Sequence, residues 1–599
     1  MSVPSRLVRD PRVAAAALAV AVRGAVALQI HAHGGPAPAL DGDFYLRWAN
    51  DIAGGDWLGR AGTIHGEPFL FNPLYAYVIA PLAAVFEHAA IAIVALQALL
   101  AGGTAAFAAS AAHRFAGRLA AWTAGLGVAL SAALVHLDGK IAVSGLAAFL
   151  VAGTIWSLSP EEGDAAPRRG HGPVAAGAWL GLSLLARPVT LPVTLCAAWL
   201  FARRSERPVR AAALLLLPVV ACAGLSLARN VVVSGEPVVF TAANGQNLHL
   251  GNNPAARRVE AMATDEFRFG PLVMHDDAKF RVGYEVHHEP SRAEISSWFT
   301  ERAWSDFAAA PGASLGWYAT KLRWFAGPLE LASSDVIQTD RAQAPLLGLA
   351  FVPTWLLLAL AAASVVVAKR RADLLLGPGA IVASHALACM LVYPLSHYRS
   401  PAIPAMAVMA GVAVAGIATA LSEQRTRAAG VALAIGAGVA VIGALPPQAP
   451  TFAEAALAEA AAAALAGDDL ATAEELARQS LAASPDDILA ITVQLKVATK
   501  QGRFDAARAA AARLVELRPW DPDARTDVAW SDARLGRKDD ALREVDAVVA
   551  LYPWSGRVHG GRGAIRLFLD DVAGGRDDLR FAIDHGIRPP AWALEKAGL

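Results

Sequence analysis

The chain has 599 residues, 55% of them hydrophobic and 17% charged, with 52 Lys+Arg balancing 52 Asp+Glu. That apolar excess excludes an ordinary soluble protein and calls for several membrane-crossing helices, while zero net charge argues against a nucleic-acid partner. The three cysteines, Cys196, Cys222 and Cys389, all fall inside apolar runs, which excludes a disulfide framework or a thiolate metal site.

Arg6, Arg9 and Arg12 precede the first apolar run, and Gln29, His31 and His33 follow it in place of a small-residue cleavage box. A retained span is therefore expected rather than a cleaved signal. A helix needs about 20 apolar residues to cross a bilayer. That criterion predicts spans near 12–31, 71–87, 89–112, 117–135, 139–158, 174–201, 210–231, 346–368, 373–392, 400–421 and 429–446. These make about eleven spans. Segment 71–112 is broken only at Glu87-His88, and 174–201 is interrupted by Arg187-Pro188, giving one kinked span or two half-helices. Basic residues stay on the cytoplasmic side. Arg203, Arg204, Arg207 and Arg210, then Lys369, Arg370 and Arg371, then Arg425 and Arg427, mark three inner loops. Counting outward from them puts the N-terminus inside. It puts residues 40–67, 232–345 and everything after 447 outside. Arg114 and Arg118 fall on the wrong side of this scheme, and Lys140 falls near the inner face.

The expected class is all-α. A polytopic transmembrane bundle fills 1–446, with an outer loop at 32–70 and an outer helical subdomain at 232–345. A linker at 447–454, marked by the nearby Pro446, Pro447 and Pro450, leads to a different composition in 455–599. There Pro485, Pro519 and Pro553 recur every 34 residues, as do Ala473, Ala507 and Ala541; Gly467, Gly502 and Gly536 keep the period to within one residue. This is the tetratricopeptide period: two antiparallel helices per repeat, small residues at the crossing, and proline after the second helix. An α-solenoid of three repeats with a degenerate final pair is expected.

The chemistry-bearing stretch follows the first span. Asp41, Asp43, Asp51 and Asp56 stand at its outer mouth, and Phe44, Tyr45 and Trp48 follow the first two at once. Asp56 in a Gly-Gly-Asp turn and Asp51 on a polar face read as solvated carboxylates. Asp41 and Asp43 read as held against the bilayer by a short interfacial helix. Arg399, beside Tyr398 and between Pro394 and Pro401 at an outer span boundary, could grip phosphate oxygens with two donors or simply snorkel. Arg187 interrupts an apolar segment, where a charge is costly and usually faces a cavity or partner. Glu67 before the second span serves a metal, an acceptor or only a helix start. Asn252 and Asn253 contact sugar or cap backbone groups in a turn. His287-His288-Glu289 with Asp276-Asp277 matches no ligand spacing.

Several pieces in order resemble the GT-C membrane glycosyltransferases, the branch holding protein O-mannosyltransferases and lipid A aminoarabinose transferases. They are an acid with a following tyrosine in the first outer loop (Asp41 or Asp43, Tyr45), a Gly-Asp-Trp turn, and Pro73-Leu74-Tyr75. Asp138-Gly139-Lys140, Gly181 through Pro188, and Arg229-Asn230 follow. Gly251-Asn252-Asn253-Pro254 and His397-Tyr398-Arg399 before Pro401 complete the set. The resemblance implies an inverting transfer of a sugar from a polyprenyl-phosphate donor to an acceptor on the outer face. Asp41 or Asp43 would be the general base, and Arg399, Arg187 and Lys140 would bind the donor phosphate. Tyr45, Glu67, Tyr398, Asn252 and Asn253 would contact substrate. A lipid phosphate leaves without a general acid, so a base and cations suffice. No cofactor is required, and a divalent metal is left open. The lipid bilayer is the other expected partner, and the tetratricopeptide array would offer a surface to a protein partner or acceptor. Alanine- and arginine-rich usage suggests a bacterial inner membrane. Two other classes compete. A non-catalytic assembly factor would use the array alone. A secondary transporter would need internal repeats among the spans, and the spans show none.

Overall fold

The computed structural model describes residues 10–32, 41–160, 172–256, 271–331, 341, 344–349, 351–445 and 453–599. Arg6, Arg9, His33 and the prolines at 446, 447 and 450 lie outside the described residues, as do parts of the expected linker and outer loops. The described chain is helical throughout and carries only an isolated bridge between Ser131 and Val352. It divides into two compact units, Met1–Arg257 with Arg302–Gln448, and Arg258–Glu301 with Ala449–Leu599. The outer stretch 232–345 thus contributes to both.

In the first unit, six helices are long and apolar enough to cross a membrane: Pro11–Ala32, Ala89–Ala129, Pro208–Ser234, Arg371–Leu391, Ser396–Ser422 and Thr426–Ala444. Leu74–Val85, Val143–Leu158, Pro173–Ala186 and Thr354–Val367 are apolar but shorter. The long Ala89–Ala129 helix breaks at Ala116 and Gly117, where glycine takes φ 78°; a residue with a Cβ is strained there. The break leaves two antiparallel arms, because Ala109 of the first arm lies beside Gly125 of the second.

One expected span is shorter in the structure, and another takes one of the two forms expected for it. Segment 71–87 forms only the 12-residue helix Leu74–Val85, about 18 Å long at 1.5 Å per residue, well short of a 30 Å hydrocarbon core. Tyr75 at its start donates to Gln97 in the next helix at 2.6 Å. The two therefore fold back on each other around Glu87-His88. Segment 174–201 is two helices, Pro173–Ala186 and Leu191–Arg204, because Pro188 lacks an N–H and Arg187 is extended. Gly177 lies against Leu215, whose carbonyl oxygen would stand 2.0 Å from an added Cβ, and Gly181 lies against Cys222. The first half thus runs alongside Pro208–Ser234. The second half returns, with Arg204 donating to the Leu158 carbonyl at 3.0 Å.

Side-chain contacts sort the bundle into two ends. One gathers Arg114, which bonds Ser159 at 3.2 Å, with Arg203 and Arg204 paired to Asp373. The other gathers the first loop. Arg229 donates to the Leu58 carbonyl at 2.6 Å and the Glu67 carbonyl at 2.7 Å, and Asn230 accepts from the Phe69 N–H at 3.0 Å. Arg114 therefore sits at the same end as Arg203 and Arg204. Lys140 sits at the opposite end, its carbonyl accepting from Gln97 at 2.6 Å.

In the second unit, helices start at Leu470, Phe504, Lys538 and Val572, 34 residues apart each time, and their partners start at Ile488, Pro522 and Gly556 with the same period. Buried Ala473, Ala507 and Ala541 stand at equivalent places. Asp487, Asp521 and Ser555 cap the second set of helices with side-chain oxygens. The Pro271–Val286 helix packs on the loops between repeats: Phe280 stacks on Trp554 at 5.3 Å, Lys279 lies over the same ring, and fully buried Asp277 stands 3.7 Å from Arg518.

Candidate functional site

The first-loop helix Asp41–Ala53 has two faces. Phe44, Tyr45, Trp48 and Ile52 are buried, and they pack through Phe71 at 4.5 Å from Phe44 and Tyr75 at 5.1 Å from Tyr45. The i, i+4 spacing puts Asp41 and Tyr45 on one side of this helix. Asp43 stands on another side, in an ion pair with Arg47 at 2.5 Å that is roughly half exposed. Asp41 is exposed as well, so the two candidate bases differ in the side of the helix they occupy and not in burial.

Tyr45 stands within range of two charges. Its phenol is held well above the usual tyrosine range, first by burial and then by the negative charge of Asp41, while Arg187 pulls the other way. The charges of Asp41 and Arg187 both reach Tyr398 as well. Arg187 lies over the Tyr398 ring, 4.7 Å from its centre, and His397 stacks on Tyr398 at 4.6 Å. Helix breaking explains the place of Arg187. Pro188 ends the Pro173–Ala186 helix and leaves Arg187 extended, whereas His397 and Tyr398 lie in the first turn of the Ser396–Ser422 helical run. Tyr45, Arg187, His397 and Tyr398 thus come from three segments far apart in sequence, with exposed Asp41 one helical turn before Tyr45.

Arg187 is 8% exposed, its Nε has no hydrogen-bond partner, and among the described residues no carboxylate pairs with it. A buried unpaired guanidinium costs several kcal/mol. Among the described residues its ring contact is the Tyr398 face, which returns about 2 kcal/mol.

The other expected phosphate ligand does different work. Arg399 is 2% exposed. It donates to the carbonyls of Trp324, Phe325, Gly327 and Leu329 at 2.9–3.1 Å and pairs with Glu330 at 2.7 Å. It caps the C-terminal end of the Pro311–Ala326 helix, which leaves its terminal nitrogens committed to protein oxygens. Asn252 and Asn253 are likewise internal. Asn252 accepts from fully buried Lys321 at 2.7 Å and donates to the Leu248 and Leu391 carbonyls at 2.6 Å, and Asn253 caps the Ala256 N–H at 2.8 Å. Both are turn-shaping residues. Glu67 is half-buried, and its carbonyl is taken by Arg229. Among the described residues no group of three His, Cys, Asp or Glu side chains is placed to hold a metal ion.

Sequence reading missed Tyr75 and Gln97 as a linked pair and Lys321 as the hub of the Asn252 turn. A polar residue alone in an apolar helix was the available signal for Gln97; nothing in the sequence pairs Lys321 with residue 252.

No protein-family model matches the chain, and no curated protein matches it. Among solved structures it is similar to ArnT from Cupriavidus metallidurans bound to undecaprenyl phosphate, at 15% identity over 98% of this chain and 87% of that one, with a TM-score of 0.39. It is also similar to MamA MSR-1 C2, at 19% identity over 28% of this chain and 92% of that one, with a TM-score of 0.20. The APC/C hetero-tetramer Cut9-Hcn1 gives 12% identity over 80% of this chain and 86% of that one, with a TM-score of 0.23. None of these similarities is high enough to assign a family.

Proposed function

We propose that this protein is an integral-membrane glycosyltransferase that moves a sugar from a polyprenyl-phosphate carrier to an acceptor on the outer face. The observation that carries this reading is Arg187, a buried guanidinium beside Tyr398 with no carboxylate partner among the described residues, and with Tyr45 within range of both its charge and that of Asp41. In the reaction, an acceptor hydroxyl attacks the anomeric carbon while Asp41 takes its proton. The carbon–oxygen bond to the phosphate breaks with inversion, and the phosphate leaves with the electron pair onto Arg187. Asp43, paired with Arg47, is set aside as the base, and Arg399 as a phosphate ligand.

The topology that fits this reading has eleven crossings, with members different from those read off hydropathy. The Leu74–Val85 hairpin arm is not one of them, and Pro173–Ala186 and Leu191–Arg204 count separately. Each of these two 14-residue helices spans about 21 Å, so the Arg187-Pro188 turn lies below the outer surface, at the depth of a lipid phosphate drawn slightly inward. The N-terminus stays cytoplasmic, and residues 455–599 follow the last crossing as an outer tetratricopeptide array, in a bacterial inner membrane. The array supports a second reading, a non-catalytic assembly factor, because a helical repeat surface needs no chemistry to recruit a partner.

The test is sugar transfer from a radiolabelled polyprenyl-phosphate-sugar pool in membranes carrying wild type, Asp41→Asn, Asp43→Asn or Arg187→Gln at equal protein level. Transfer by wild type and Asp43→Asn, lost in the other two, is the expected result. Absence of wild-type-dependent transfer with every donor, alongside intact partner capture, moves the assignment to the assembly factor.

A further inference from the structure

Arg534 ends the Pro522–Arg534 helix and lies exposed at the edge of the second unit where the first helix of each repeated pair stops. Its guanidinium is held between two rings, over Phe504 at 4.3 Å and over Phe568 at 5.4 Å. Trp530, one turn earlier on the same helix, meets Phe568 at 5.2 Å and Trp592 at 6.2 Å, and Trp592 is 42% exposed. The repeat shows what Arg534 lacks. Lys500 stands at the equivalent place one repeat earlier and pairs with Asp468 at 2.5 Å. The residue that matches Asp468 for Arg534 is Gly502, which has no side chain to offer. Among the described residues no carboxylate pairs with Arg534, whose contacts are the two rings. Lys538, at the start of the next helix, adds a second positive charge; it reaches Asp570, which Lys596 already holds at 2.7 Å.

Other arginines of this unit are matched, as Arg503 is to Glu474, Arg513 to Asp486 and Arg525 to Glu544. The surface therefore carries a local positive site and not the broad basic field that holds an anionic membrane or a polynucleotide. The opposite edge, where Trp554 lies, is occupied by the Pro271–Val286 helix, whereas Arg534 and Trp592 remain exposed.

We propose that Arg534, Trp530, Phe568 and Trp592 form a docking site for an acidic peptide segment. A carboxylate takes the edge of the Arg534 guanidinium, and a neighbouring apolar side chain lies along the Trp530–Trp592 row. Stacking holds a guanidinium by its faces and leaves its N–H edge open, which presets it for two parallel bonds to a carboxylate. Arginine and tryptophan in one patch are also the residues that dominate the energetics of protein interfaces. No residue of the first unit takes part, so the site stands or falls apart from the transferase reading.

The test uses full-length protein in nanodiscs of zwitterionic lipid, titrated with a fluorescein-labelled, C-terminally amidated peptide of alternating Asp and Leu. The same peptide with Asn for Asp, and phosphatidylglycerol vesicles, are the comparison ligands. Wild type is expected to prefer the Asp peptide, and Arg534→Gln, at an exposed position, is expected to weaken that binding about tenfold and abolish the preference. Lys500→Gln, which removes a cation already paired, is expected to leave both peptides unchanged. Trp592→Ala is expected to weaken both peptides by a similar factor, since it removes apolar contact and no charge. Equal binding of the two peptides by wild type, wild-type affinity in Arg534→Gln, or equal weakening by Lys500→Gln would overturn the proposal. Tighter binding of the vesicles than of the Asp peptide, lost in Arg534→Gln, would replace the peptide with a lipid surface.

Discussion

Arg187 yields a prediction that runs against ordinary expectation for a buried charged residue: replacing it should stabilise the ligand-free protein. The guanidinium is 8% exposed, with an unsatisfied Nε and no carboxylate partner among the described residues. Taking one ion out of water costs several kcal/mol even after relaxation, and the cation–π contact at 4.7 Å offsets about 2 kcal/mol of that. Arg187→Met fills a similar volume, removes the penalty and keeps an apolar contact with the ring, so a net gain of about 1–3 kcal/mol is expected. A bundle of this size should show it as a rise of a few degrees in thermal midpoint. The assay is a melt of the purified ligand-free protein in one detergent, run beside Arg399→Met. Arg399 makes four carbonyl bonds and an ion pair to Glu330, so its loss should cost about 3–5 kcal/mol. The two arginines are similar by sequence and opposite by prediction. A midpoint for Arg187→Met as low as that of Arg399→Met would refute the claim that Arg187 lacks an internal partner, and with it the argument for an anion site.

Asp41→Asn should cut transfer by about 10²–10⁴-fold, the usual worth of a general base, whereas Asp43→Asn should stay within a few-fold of wild type in the same membranes, since only an exposed i, i+4 pair is lost. Lys321→Met should destabilise by about 3–5 kcal/mol because the carbonyls of Met390 and Val392 and the Asn252 side chain lose one shared cation; thermal melts and protein yield report it. Asp277→Ala removes one side of a fully buried charge pair with Arg518 and should cost the second unit about 3 kcal/mol, read as faster proteolysis between residues 258 and 301. A cysteine placed at Arg118 should resist membrane-impermeant maleimide added from outside while one at His65 reacts, both positions being exposed; labelling of residue 118 from outside would return the chain to the hydropathy-based topology.

Much of the secondary structure lay open in the chain. Runs 12–31, 210–231, 373–392, 400–421 and 429–446 coincide with helices long enough to cross a membrane, because uninterrupted apolar length is a property of sequence alone. The 34-residue spacing of Pro485, Pro519 and Pro553 reappears as the spacing of helix starts, since proline and small residues act on their own neighbourhood. Asp41 was named from its place at a span's mouth and its aromatic neighbours. What hydropathy could not decide was direction. A run such as 71–87 has the composition of a span, yet its helix covers only Leu74–Val85, with Tyr75 bonded to Gln97 of the next helix.

The same division holds at the candidate site. Residue type and local spacing identify which groups are able to hold a phosphate or take a proton, and on that level Arg187, Arg399 and Lys140 are interchangeable cations. Which of them has charge to spare depends on the oxygens brought around it by segments far away. Arg399 meets the end of a helix some 70 residues earlier and is consumed there. Arg187 meets an aromatic face and keeps its charge. Local sequence determines the groups available; only tertiary packing, by pairing or sparing each one, decides which can act.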